Sequence, residues 1–255
     1  MKYKGLMLDV DGTIIPYDYQ ARPSAKVIES LKKAREKVTV CLVTGRSFIS
    51  IEKILQTLSM HTGFAVVNNG AHVIDIESKE ILYESLISPD VTKKIIKLFR
   101  DEKIPFAIKG SPFEQEYVRL PDQTIPDNIS TPMFFTNELF SSDRADQLID
   151  ELSSFSDISC HKTHHSEPGK FGVILSHTNA TKQNGIFELE KHLGISREFM
   201  IGVGDGYNDF PLLMACGLKV AMGNAAPDLK EIADYVAPSV DEDGVADVVE
   251  KFILN

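Results

Sequence analysis

The chain has 255 residues, 43% of them hydrophobic, enough for one large domain or two modest ones with separate cores and too apolar for disorder. With 37 acidic against 27 basic residues and a net charge of −10, it argues against a nucleic-acid groove or an anionic membrane surface as the main partner, which leaves small molecules or proteins. Cys41, Cys160 and Cys216 lie far apart without C-x-x-C spacing, so neither a disulfide framework nor a structural zinc site is expected and a reducing cytoplasm fits.

Leu6 to Leu8 is a buried strand, too short to be a signal peptide or a membrane span. After Pro23 and a Ser24 cap, Val27, Ile28, Leu31 and Ala34 recur at helical spacing, and Val38 to Val43 is a second strand. Ile51, Ile54, Leu55 and Leu58 mark another helix, and the strand Ala65 to Val67 runs into an Asn68-Asn69-Gly70 turn. This alternation predicts an α/β, Rossmann-like core with a mainly parallel sheet and crossover helices.

From about Glu84 the texture changes. Val91 to Phe99 is helical, Phe106 to Ile108 and Glu116 to Leu120 are strand candidates, and prolines 112, 121, 126 and 132 punctuate the stretch. A helix near Asp143 to Leu152 precedes the strands Ile158 to Lys162 and Phe171 to Ser176. Strands in pairs without crossover helices predict an antiparallel sheet, hence a small α+β domain inserted in the first. Helix Asn184 to His192, strand Phe199 to Val203, strand Leu218 to Met222 and helix Val245 to Ile253 then complete the core. The expected division is 1–83 and 178–255 for the core and 84–177 for the insert.

Asp9-Val10-Asp11-Gly12-Thr13 follows the first strand, and ligands of open α/β sheets bind beyond the carboxyl ends of strands. Strand alternation sends Asp9 and Asp11 to one side, and Gly12 permits a sharp exit. Alone, D-x-D-G is equally an acidic turn. Gly204-Asp205-Gly206-Tyr207-Asn208-Asp209 places a second pair of carboxylates at another strand end. Asp209 fits either a helix cap or a site residue, whereas capping does not explain Asp205. Hard oxygen ligands of this kind suit Mg2+. Thr44-Gly45-Arg46, before a helix, supplies a hydroxyl and backbone amides for an anion, or simply a helix cap. Lys182, after Thr181, is a neutralising cation or an ordinary surface lysine.

Together these segments supply a nucleophile, a metal site, phosphate donors and a cation. In that combination the sequence resembles the haloacid dehalogenase superfamily, whose motifs run in the order D-x-D-G-T, a strand-end Thr or Ser, a Lys, and G-D-x-x-x-D. Leu42 to Arg46 (L-x-T-G-R), Asn68 to Ala71 (N-N-G-A), Gly204 to Asp209 (G-D-x-x-N-D) and the G-N-A at Gly223 to Ala225 resemble the Cof-type branch, with a short type IIB cap as the insert. Lys182 departs from the common pattern, since Gln183 and Asn184 intervene before Gly185.

The resemblance implies a Mg2+-dependent phosphatase of small phosphorylated metabolites, sugar phosphates foremost. Asp9 would be the nucleophile and Asp11 the acid and base. Asp9, the Asp11 carbonyl and Asp205 would hold the metal, with Thr44 and Lys182 stabilising the phosphoryl oxygens. Gly12, Gly45, Arg46, Asn208 and Asp209 would support these groups or contact phosphate. In the insert, His161, His164 and His165 form a cluster beside Lys170. Solvated surface, substrate contact through His164 and Lys170, and a metal site are its three readings. A phosphomutase of the phosphomannomutase type is the nearest rival, separated by release of inorganic phosphate without a bisphosphate activator. A non-catalytic phosphoacceptor module is the other, separated by multiple turnover on para-nitrophenyl phosphate.

Overall fold

The computed structural model describes residues 2–18, 20–113, 130–164 and 169–255. It divides into two compact units, residues 1–84 with 181–255 and residues 85–180.

The first unit opens with β1 (Gly5–Leu8), α1 (Ala25–Arg35), β2 (Thr39–Val43), α2 (Phe48–Thr57), β3 (Phe64–Val67), β4 (His72–Asp75) and β5 (Ile81–Glu84). All four residues of β1 are buried, as an unbroken apolar run covered on both faces requires. Ser24 caps α1 by accepting from the Val27 amide at 3.1 Å, and Lys32, Lys33 and Arg35 oppose the negative end of the helix dipole.

The second unit contains α3 (Pro89–Asp101), β6 (Phe106–Ile108), β7 (Met133–Thr136), α4 (Ser142–Leu152), β8 (Ile158–His164) and β9 (Phe171–His177). Its strands form an antiparallel sheet in the order β6-β7-β9-β8. Ile95 and Phe99 of α3 and Leu148 of α4 bury their side chains with Phe134 and Leu175 of the sheet. The Phe99 and Phe134 rings meet edge to face, 6.0 Å apart. The strand expected over Glu116 to Leu120 lies outside the described residues, as do Pro121, Pro126 and His165.

The first unit then resumes with α5 (Lys182–Leu193), β10 (Met200–Gly204), α6 (Phe210–Ala215), β11 (Leu218–Ala221), α7 (Pro227–Glu231), β12 (Tyr235–Val236) and α8 (Gly244–Val249). Its sheet has the order β12-β11-β10-β1-β2-β3-β4-β5. Strands β12 through β3 are parallel and β3-β4-β5 antiparallel, so the mainly parallel α/β core predicted from the sequence is what the chain builds. The chain order reverses about β1, which pairs with β2 on one side and β10 on the other. This is the topological switch point where ligands of such sheets bind. In register, Leu8 faces both Leu42 and Val203, so Asp9, Thr44 and Asp205 all leave the sheet at the same edge.

Candidate active site

Asp9 follows β1 directly, its amide donating to the Val203 carbonyl at 3.0 Å, and is 5% exposed. The parallel pairing of β1 with β10 thus fixes the first carboxylate against the strand that delivers Asp205. Gly12 turns the chain away with φ +78°, and a Cβ there would overlap the Asp205 carboxylate. Glycine is required at that position both for its backbone angle and for the close approach.

Asp205 is buried beneath a set of donors. Thr13 Oγ1 donates to its Oδ1 at 2.9 Å, the Tyr17 hydroxyl donates to Oδ2, and Asn224 Nδ2 reaches Oδ2 at 3.4 Å while donating to the Gly12 carbonyl at 2.8 Å. Asp209 is fully buried, and its Oδ2 accepts from the amides of Asp205 and Gly206, each at 2.9 Å. It therefore braces the loop after β10 and makes no side-chain cap bond to α6.

Thr181 caps α5 by accepting from the Asn184 amide at 3.1 Å, which sets Lys182 as the first helical residue. Lys182 is 1% exposed, and its Nζ donates to Asp9 Oδ1 at 2.5 Å and to Asp209 Oδ1 at 2.6 Å. It is a buried bridging cation, and the surface-lysine alternative is set aside. Thr44, at the end of β2, accepts on its Oγ1 from the Arg46 amide at 3.1 Å. Arg46, 5% exposed, forks onto Asp11, with Nε to Oδ2 at 2.8 Å and Nη2 to Oδ1 at 2.5 Å. Gly45 is half-buried between them. Asn208 donates from Nδ2 to Asn69 Oδ1 at 3.1 Å.

Among the described residues, ligand atoms of Asp9, Asp205 and Asp209 lie within 4.8 Å of one another. Burial, and next the Asp209 charge, push the Asp9 carboxyl well above its usual range. Asp205 is pushed up to about 6, again first by burial, against the lowering effect of the Tyr17 and Thr13 hydrogen bonds. Burial disfavours the Lys182 ammonium, but the carboxylates of Asp209 and Asp9 outweigh it and raise its pKa. Three buried carboxylates against one buried ammonium leave an excess of negative charge on hard oxygen donors, which suits a divalent cation of the Mg2+ type.

Sequence reasoning passed over Tyr17, Thr13, Asn69 and Asn224 as site residues. Thr13 and Asn224 stand within motifs it quoted, whereas Tyr17, an exposed aromatic, has no local signal. His164 ends β8 and Lys170 just precedes β9, both in the second unit. His161, also on β8, exchanges a hydrogen bond between its Nε2 and Ser159 Oγ at 3.0 Å.

A family model described as haloacid dehalogenase-like hydrolase matches residues 6–249. The chain belongs to this family. As a haloacid dehalogenase-like hydrolase it is an enzyme, and the resemblance carried by its motifs is to the same family. It is 26% identical over 253 residues to a phosphoglycolate phosphatase of Methanothermobacter thermautotrophicus, covering 98% of this chain and 99% of that protein. A haloacid dehalogenase-like hydrolase structure from Bacteroides thetaiotaomicron matches with TM-score 0.79 and 25% identity, over 98% of this chain and 100% of that one. The HAD subclass IIB sugar phosphatase BT4131 shares the fold at TM-score 0.76 and 23% identity, with 98% of each chain covered. Among the described residues, no helix is long and apolar enough to cross a membrane.

Proposed function

We propose that this hydrolase is a Mg2+-dependent phosphatase of small organic phosphate monoesters, sugar phosphates foremost, working through a phosphorylated Asp9. The observation that carries the proposal is the buried Asp9–Lys182–Asp209 bridge with Asp205 beside it, at the switch point of the sheet. A carboxylate so placed is a suitable covalent nucleophile. The phosphoglycolate phosphatase relative supports the substrate class.

Asp9 attacks phosphorus, forming the acyl-phosphate O–P bond as the ester O–P bond breaks, and the leaving alkoxide takes its proton from Asp11. In the second half Asp11 accepts a proton from water, whose oxygen attacks the phosphorus and releases phosphate with Asp9 restored. Arg46 holds the Asp11 carboxylate in a fixed plane for both transfers. Lys182 offsets charge between Asp9 and the phosphoryl oxygens, and Asp209 keeps that lysine in place. Thr44, the Gly45 amide and Asn208 serve as donors to those oxygens. The Asp9 and Asp205 carboxylates with the Asp11 carbonyl would hold magnesium, which when bound offsets the repulsion between an anionic nucleophile and an anionic substrate.

Asp9→Asn tests the proposal, because the amide fills the same space and still accepts from Lys182. Phosphate release from para-nitrophenyl phosphate should fall by about three orders of magnitude or more in a variant that still unfolds in one cooperative transition. Retained turnover would sink the reading.

A further inference from the structure

The Asn68-Asn69-Gly70 turn supplies no group to the chemistry proposed above, yet it touches three segments that do. Asn68 and Asn69 adopt left-handed backbone angles, φ 53° and 56°, a region that asparagine tolerates better than most residues bearing a side chain. Their amides fasten the turn to the Thr44–Arg46 segment, Asn68 N donating to the Arg46 carbonyl at 2.8 Å and Asn69 N to the Thr44 carbonyl at 3.0 Å. Gly70, at φ +99°, passes so close to Thr181 that a Cβ would overlap the Thr181 carbonyl, so the turn also abuts the start of the helix carrying Lys182.

From this anchored backbone the Asn69 side chain lies over Gly45, and its Oδ1 accepts from Asn208 Nδ2 at 3.1 Å, joining loops 139 positions apart in the chain. A planar amide with one N–H committed to a fixed acceptor has its second N–H set at a known angle to the first. We infer that Asn69 is a positioning residue, which locks the Asn208 amide so that its other N–H is presented to a phosphoryl oxygen. The inference rests on the phosphatase reading and on Asn208 as one of its donors.

The rival role for Asn69, a residue present only for its backbone angle, makes an opposite forecast. Glycine adopts φ 56° without strain, so Asn69→Gly would then be harmless. The test uses the full chain with Mg2+ and compares Asn69→Gly, Asn208→Ala and the double variant. Phosphate affinity is read by titration calorimetry, and kcat/KM with para-nitrophenyl phosphate. Asn69→Gly should weaken phosphate binding about fivefold and lower kcat/KM about tenfold, on the scale of one ordinary hydrogen bond, at an unchanged melting temperature. The double variant should match Asn208→Ala within about twofold, because the two residues act as one unit.

Values for Asn69→Gly within about twofold of the parent, losses that multiply in the double variant, or an Asn208→Ala variant that binds phosphate normally each overturn the inference. A drop in melting temperature with phosphate affinity intact assigns Asn69 to the turn alone and overturns it too. Asp9→Asn, run alongside, separates the two levels. Turnover that needs Asp9 but ignores Asn69 overturns only the positioning role. Turnover that survives Asp9→Asn overturns the phosphatase reading, and calorimetric phosphate affinity still decides the role of Asn69.

Discussion

Replacing Lys182 with methionine keeps an unbranched side chain of similar reach and removes its charge. Lys182 is 1% exposed and its ammonium is bonded at 2.5 Å to Asp9 and 2.6 Å to Asp209, so its loss leaves two buried carboxylates facing each other without a counter-ion. Removing one partner from a buried ion pair costs about 3–5 kcal/mol. At about 2–4 °C per kcal/mol for a chain of this size, the metal-free variant should melt roughly 6–20 °C below the parent near pH 8. Asp9 already has its carboxyl raised, by burial first and by Asp209 next, and loss of the lysine raises it further. A carboxyl whose folded pKa lies above its unfolded value binds its proton more tightly when folded. The penalty is therefore complete above the folded pKa and fades as pH falls through it. The deficit against the parent should thus be smaller near pH 5 than near pH 8. Differential scanning calorimetry of both proteins in chelator measures it. A deficit below about 2 °C near pH 8 would refute the argument that Lys182 neutralises this cluster.

As a ligand of the proposed magnesium site, Asp205 would link metal binding to pH. Its folded pKa of about 6 exceeds the ordinary 3.8, so its ionisation destabilises the metal-free protein as pH rises through that interval. A divalent cation that removes this penalty should raise the melting temperature more near pH 7.5 than near pH 5. Scanning fluorimetry in magnesium and in chelator checks this, and equal shifts at the two pH values would count against Asp205 as a metal carboxylate. Arg46→Lys exchanges a two-point fork on Asp11 for a single point charge, and kcat should fall about ten- to a hundredfold with KM little changed. Steady-state kinetics decide, and a kcat within about twofold of the parent removes Arg46 from the proton-transfer step.

What could be read in advance follows the range of the interactions involved. The strands that carry Asp9, Thr44 and Asp205 are buried on both faces, so each announces itself as an apolar run ending in polar residues. Strand β5 did not announce itself, since Ile81–Glu84 is exposed or half-buried along its length and carries no alternation. Asp209 fitted both a cap and a site residue because local spacing serves either. Only the fold reveals that its Oδ2 turns back to the Asp205 and Gly206 amides. The Arg46 fork on Asp11 and the Tyr17 contact with Asp205 join residues 35 and 188 positions apart, and no local pattern encodes such pairings.

The placement of Lys182 bears on how such a chain tolerates change. Residues 85–180 form one compact unit, and the next residue, Thr181, fastens the helix whose opening position is the lysine. The ammonium is located by its own helix start and by two carboxylates of the first unit, none of which belongs to the insert. A different module spliced in at this seam would therefore inherit a charge cradle already assembled.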